Sequence, residues 1–192
     1  MRAKISDAAQ VSGLRPLYAL DPAGLEAELA ALDVPEQQRR MRAAQIGHWL
    51  WVRGARTFAA MTDLPIALRE ALALRLTIAR PPVEAEQCSV DGTRKWLLRF
   101  ADGQAVETVF IPEEDRGALC VSSQVGCTLS CRFCHTGTMP FMRNLTAAEI
   151  LAQVLVARDR LGEWPGGQPR RLLTNIVFMG MGEPLLNYDN VL

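Results

Sequence analysis

Apolar positions in the first third of the chain recur at helical spacing. Leu25, Leu29 and Leu32 follow Asp21-Pro22, an N-cap with proline in the first turn, and predict a helix from Pro22 to Leu32. Met41, Ile46, Trp49 and Leu50 mark the apolar face of a second helix, from about Glu36 to Arg53, stopped by Gly54. Thr62-Asp63-Leu64-Pro65 opens a third, with Leu68, Leu72 and Leu76 inward, running until Pro81-Pro82. Three short helices with tight connections predict a helical accessory domain over residues 1–82.

From Val83 the period changes from helical to alternating. Lys95–Phe100 and Ala105–Ile111 read as strands flanking Asp102-Gly103, a β-hairpin connector over residues 83–115 that closes with Pro112 and Glu113-Glu114-Asp115. Leu119–Ser122 reads as a short strand and Cys127 to Asn144 as a long irregular loop. Thr146-Ala147-Ala148-Glu149 is a capping box that starts a helix through about Leu161. Gly166-Gly167 and Pro169 break the chain before Leu172–Phe178, a buried-type strand leading into Gly180-Met181-Gly182-Glu183-Pro184. Strand, loop, helix, strand is a βαβ unit, so the expected class is α/β, with parallel strands and a right-handed crossover.

The 192 residues are 49% apolar and 22% charged, a globular balance that excludes a disordered or fibrous chain. Net charge is zero, so any nucleic-acid contact must come from a local patch. The basic side is 19 Arg against Lys4 and Lys95; arginine suits phosphate forks and base stacking, but a GC-rich genome produces the same bias. No apolar run reaches the roughly 18–20 residues of a membrane span. Residues 1–7 lack the apolar core of a secretion signal, and a soluble cytoplasmic protein is expected.

The cysteines narrow the chemistry most. Cys120, Cys127, Cys131 and Cys134 fall within fifteen residues, and such clusters in a reducing compartment more often bind metal or do redox chemistry than form disulfides. Cys127, Cys131 and Cys134 are spaced C-x3-C-x2-C. Three thiolates at that spacing can hold one face of a [4Fe–4S] cluster and leave one iron open to a small molecule. A closed zinc site wants four ligands in two pairs. His135 adjoins Cys134 too closely to share one ion with it, and only long-range folding could bring in His48 or Cys120, so a zinc-stabilised module is the alternative. Cys88 fits no motif, and His48 reads as a surface or capping histidine.

Cys127-x3-Cys131-x-Phe133-Cys134 resembles the cluster motif of the radical S-adenosylmethionine superfamily. Cys120-Val121-Ser122-Ser123-Gln124-Val125-Gly126-Cys127 and Gly180-Met181-Gly182-Glu183-Pro184-Leu185 resemble, more narrowly, the RlmN-type adenine-C2 methyltransferases. Val106–Pro112, Trp49-Leu50 and Met61–Pro65 extend the likeness from about Arg42 to the end. The resemblance implies a partial (β/α)6 barrel after a helical domain and a hairpin, its first units occupying residues 116–192. It also implies an S-adenosylmethionine-dependent enzyme with a [4Fe–4S] cluster on Cys127, Cys131 and Cys134, using two molecules of S-adenosylmethionine per turnover. Gly182 and Glu183 would hold the methionine end of that cofactor. Cys120 would be the cysteine that resolves a covalent RNA–enzyme thioether through a transient disulfide, and Glu107 the proton acceptor at C2. The substrates implied are 23S rRNA and tRNA, with an electron donor such as flavodoxin; a monomer is expected. Adenine C2 lies between two ring nitrogens and has no lone pair to attack a sulfonium methyl, so radical chemistry suits it.

Arg39, Arg40 and Arg42, with Arg53 and Arg56, give the second helix and its end a basic side near Trp49 and Trp51, a candidate RNA contact or only a solvated face. Residues 119–192 hold about two β/α units at roughly 30 residues each, against six in the family, and none of the five cysteines matches the family's methyl-carrying one. The expectation is therefore an N-terminal portion, inactive alone. An inactive truncated product that keeps only RNA binding or a metal-cluster module is the alternative.

Overall fold

The computed structural model of the chain describes residues 13–166 and 171–192. The signal reading at residues 1–7 and, of the predicted Gly166-Gly167 and Pro169 break, Gly167 and Pro169 lie outside them. Helix α1 (Pro22–Ala31) begins as its sequence dictates: the Asp21 carboxylate accepts the Gly24 N–H at 2.7 Å. Helix α2 spans Glu36–Trp51 and α3 spans Ile66–Arg75. The third helix stops five residues short of the predicted Arg80. Leu76 turns extended, and the short strand β2 (Leu76–Thr77) pairs in parallel with β1 (Arg15–Pro16). The predicted apolar stripes converge, with Leu25, Leu29, Ile46, Leu50 and Leu72 buried in one core together with Met61, but Met41, expected on the apolar face of the second helix, is 49% exposed and lies outside that core.

A five-stranded sheet follows. Strands β3 (Val83–Cys88), β4 (Arg94–Arg99), β5 (Ala105–Pro112) and β6 (Gly117–Cys120) form an antiparallel meander, and β9 (Asn175–Val177) joins β6 in parallel. The expected hairpin thus gains a third strand, β3, and continues edge to edge into the parallel pair. Alternation along β5 sorts its faces. Val106, Thr108 and Phe110 are buried, whereas Ala105, Glu107 and Val109 are half-buried on the other face. The βαβ unit is present, with α4 (Ala147–Leu161) between β6 and β9. Strand β9 is shorter and more exposed than the predicted Leu172–Phe178, with Ile176 half exposed. It is paired on one side only among the described residues.

Helix α4 starts on the complete capping box, with Glu149 N–H donating to Thr146 Oγ1 at 3.2 Å and Thr146 N–H donating back to Glu149 Oε2 at 2.9 Å. It serves two cores. Ala148, Ala152 and Leu155 close the helical one, and Ile150, Val156 and Ala157 close the one formed with Trp96, Leu98, Val106 and Leu119 of the sheet. Arg158 reinforces the joint by donating to the Trp51 carbonyl at 2.9 Å and stacking 3.7 Å from the Trp164 ring.

The predicted irregular loop has structure at both ends. Strand β7 (Gln124–Val125) pairs antiparallel with β8 (Arg143–Asn144), pinning its base, and His135–Thr138 forms a 3₁₀ turn. The chain ends in a 3₁₀ turn at Pro184–Asn187 and the single-turn helix α5 (Tyr188–Val191).

Candidate functional site

Parallel neighbours β6 and β9 deliver their following loops to the same end of the sheet. Cys120 pairs with Val177, so the cysteine-bearing segment and the Gly180–Glu183 turn leave side by side. Backbone bonds then bind them together: Gly180 N–H to the Val121 carbonyl at 3.1 Å, and Ser123 and Gln124 N–H to the Met181 carbonyl at 2.8 and 3.2 Å. Gly182 has φ +95°, and a Cβ there would lie 2.7 Å from the Gln124 nitrogen and Cγ, so only glycine lets the turn approach this closely.

Behind the turn lies a run of buried polar side chains. Ser122, Ser123, Gln124, Gln153, Thr108 and Asn187 are all at most 2% exposed. Gln124 Oε1 accepts from Glu183 N–H at 3.0 Å and from the Thr128 N–H and hydroxyl at 3.3 and 3.2 Å, while its amide donates to Asn144 Oδ1 at 2.8 Å. Gln153 accepts from Ser122 N–H and the Thr108 hydroxyl, both at 2.8 Å. Ser122 Oγ donates to the Glu107 carbonyl at 2.7 Å and accepts Met181 N–H at 2.9 Å. Asn187 donates to the Ser123 and Leu145 carbonyls at 2.8 Å each. None of these was among the predicted site residues. The signal available was a glutamine on the apolar stripe of α4, three residues after Ile150 and four before Ala157.

Cys127, Cys131 and Cys134 lie on the one loop pinned by β7 and β8, and all five cysteines are free thiols. Among the described residues, no three His, Cys, Asp or Glu side chains form a metal-ligand group, so the three thiols share a loop without converging on a centre. Their surroundings nonetheless suit thiolates. Leu129 N–H donates to Cys127 Sγ at 3.4 Å, and backbone donors at Gly137 and Thr136 pull the Cys134 thiol below its ordinary pKa. Gly137 also packs against the Cys131 backbone, where a Cβ would come within 2.8 Å of the carbonyl oxygen. Phe133 is almost fully exposed.

Glu107 and Cys120 project from the same open face of the sheet, since Cys120 pairs with Val109 and Glu107 is two residues along β5 from it. Glu107 is ion-paired with Lys95 at 2.9 Å, and burial pushes the Cys120 thiol above its usual pKa. The Glu183 carboxylate accepts Leu185 N–H at 3.1 Å. Gly182, Glu183 and the cysteine loop are thus brought together at one mouth, with Cys120 at its base.

The arginines are apart from this mouth. Arg39 donates to the Val34 carbonyl at 2.9 Å, Arg42 to Gln45 at 2.9 Å, and Arg53 lies over Trp49 at 5.2 Å; Arg40 and Arg56 are exposed. Arg56 also lines a cleft of about 660 Å³ with Phe58, Ile66, Arg69 and Leu76. That cleft belongs to the helical part and contains none of the cysteines.

Comparison with known proteins gives a consistent result. Residues 17–78 match the ribosomal RNA large subunit methyltransferase N-terminal domain. The chain is 56% identical to the dual-specificity RNA methyltransferase RlmN of Rhizorhabdus wittichii, over 95% of this chain and 45% of that protein. It is 57% identical to the protein of that name from Azorhizobium caulinodans, over 95% and 49%. A radical SAM methyltransferase crystal structure from Sphaerobacter thermophilus superposes with a TM-score of 0.79 at 48% identity, covering 92% of this chain and 49% of that one. The chain spans about half the length of the curated relatives it matches. The chain therefore carries an RlmN-type N-terminal domain and aligns, over nearly its whole length, as an N-terminal portion of RlmN proteins, with a radical SAM methyltransferase as its structural neighbour.

Proposed function

We propose that this chain carries the cluster loop and part of the cofactor mouth of a radical S-adenosylmethionine methyltransferase acting on C2 of adenine in 23S rRNA and tRNA. The observation that carries this reading is the adjacency of the cysteine loop and the Gly182–Glu183 turn at the ends of two parallel strands, both bonded to Gln124. The matched relatives are named dual-specificity RNA methyltransferases.

Cys127, Cys131 and Cys134 would hold a [4Fe–4S] cluster, and the donor set fits: three thiols on one loop, two of them supplied with backbone N–H donors. With S-adenosylmethionine bound, such a cluster supplies reductive cleavage of the sulfonium to a carbon radical, electrons coming from a donor such as flavodoxin. The chain's own contribution is position and proton handling. Gly182 lets the backbone approach the amino-acid end of the cofactor, and the Glu183 carboxylate can accept from its ammonium. On the open face, Glu107 would take the C2 proton, its carboxylate ion-paired with Lys95. Cys120, a protonated thiol by its raised pKa, is the resolving thiol, which must give up its proton on forming the transient disulfide. The methyl-carrying cysteine is not among the five present, so methyl transfer requires chain beyond this sequence. On the helical part, Arg39, Arg40, Arg42, Arg53 and Arg56 would meet RNA phosphates.

Anaerobic reconstitution with iron and sulfide tests the reading. A visible iron–sulfur chromophore that disappears in Cys131→Ala supports it, and a colourless protein that binds zinc stoichiometrically sinks it. RNA methylation assays on a C-terminally extended chain, but not on these 192 residues, should show product.

A further inference from the structure

Besides the backbone bonds that bind the start of the cysteine segment to the Gly180–Glu183 turn, the loop and the turn share one buried side-chain amide. Gln124 is 0% exposed, and its single side-chain oxygen receives the Glu183 N–H from the turn and both donors of Thr128, the residue after Cys127. Its NH₂ is held by Asn144 Oδ1 at 2.8 Å, and Asn144 in turn donates to the Leu186 carbonyl at 3.2 Å, beyond the same turn. The amide therefore cannot rotate without breaking bonds on every side. A donor left without its acceptor loses stabilisation, so the loop and the turn move together or forfeit these bonds.

We propose that Gln124 is a positioning residue that couples the cysteine loop to the cofactor turn, so that loading the loop with a cluster orders the Glu183 backbone. The inference rests on the cluster assignment above and goes beyond it in naming the residue that sets loop against turn. Gln124 touches neither iron nor cofactor and acts through Thr128 and Glu183.

The test is residue-resolved amide hydrogen exchange on the whole chain, before and after anaerobic loading with iron and sulfide. In the wild type, loading slows exchange at Glu183 by about tenfold or more. Gln124→Met keeps the volume and all three thiols; it takes up the chromophore, yet its Glu183 amide changes less than about twofold on loading. Gln124→Glu restores an acceptor oxygen and recovers the response. Thr128→Val, at an exposed position, gives a smaller loss in the same direction and serves if Gln124→Met does not fold. A merely structural role would raise exchange in the iron-free protein and leave the response to loading intact. Wild-type slowing in Gln124→Met, or in Thr128→Val where that variant stands in, overturns the coupling while leaving the cluster assignment standing. A wild type that takes up no iron refutes the cluster assignment, and the coupling with it.

Discussion

The Gln153 side-chain amide grips both backbone groups of Ser122: Ser122 N–H donates to Gln153 Oε1 at 2.8 Å, and Gln153 Nε2 donates to the Ser122 carbonyl at 2.9 Å. The pair fixes the strand end from which the cysteine segment departs to helix α4. Both residues are 0% exposed, so no water replaces either bond. Gln153→Leu strands the Ser122 N–H and carbonyl and the Thr108 hydroxyl. It should lower unfolding free energy by about 3 kcal/mol, read as a shift of the urea midpoint.

Gly182→Ala should be costly although it adds one methyl. The φ of +95° disfavours any L-residue, and the added Cβ meets Gln124 Cβ and, at 2.7 Å, its backbone nitrogen, neither of them a yielding side-chain tip. A loss of about 1–3 kcal/mol is expected by denaturant titration. Gly103→Ala, at φ +82° with nothing within 4 Å, isolates the conformational part and should cost about 1 kcal/mol.

Thiol reactivity should order with local electrostatics. Backbone N–H donors favour the Cys134 thiolate and lower its pKa, whereas desolvation disfavours the Cys120 thiolate and raises its own. As pH rises from neutral, Cys134 should therefore be alkylated by iodoacetamide first and Cys120 only at more alkaline pH. Peptide mass mapping of the reduced, iron-free protein reads this directly, and equal pH midpoints would contradict it.

Arg80 is nearly buried against Asp159, with Nε 3.4 Å from Oδ2, and its guanidinium also donates to the Ile78 carbonyl at 2.6 Å. Burial lowers the Arg80 pKa and nearby Asp159 opposes that shift. Asp159→Ala leaves the buried cation uncompensated and frees Trp164 Nε1, which donates to Asp159 at 2.7 Å. A loss of about 3–5 kcal/mol is expected, checked by thermal and urea unfolding.

Much of this architecture was legible because local chemistry and tertiary demand agreed. Asp21-Pro22, Thr146-x-x-Glu149 and Asp102-Gly103 each specify a cap or turn within a few residues, and all three appear where expected. Strands β7 and β8 were not legible, since two residues carry no period; their pairing is visible only once Gln124 meets Asn144 across nineteen intervening positions. The third helix was overextended because Leu76 continues the apolar stripe, while its extended backbone serves pairing with Arg15 instead. At the site, the thiol spacing is a local pattern and could be read. The polar bonds joining Thr108 of β5, Ser122 beyond β6 and Gln153 of α4, and those joining Gln124 of β7 to Thr128, Asn144 and Glu183, cross elements far apart in the chain, and no window of sequence contains them.

Helix α4 lends one flank to the helical core and the other to the sheet. A cut near residue 82 would strip the first core of Ala148, Ala152 and Leu155 and so would not release a self-sufficient helical piece. The same rod carries Gln153, which grasps the strand end beneath the cofactor mouth. A load applied at α2 is therefore in mechanical series with the thiol loop, since both hang on this single spine.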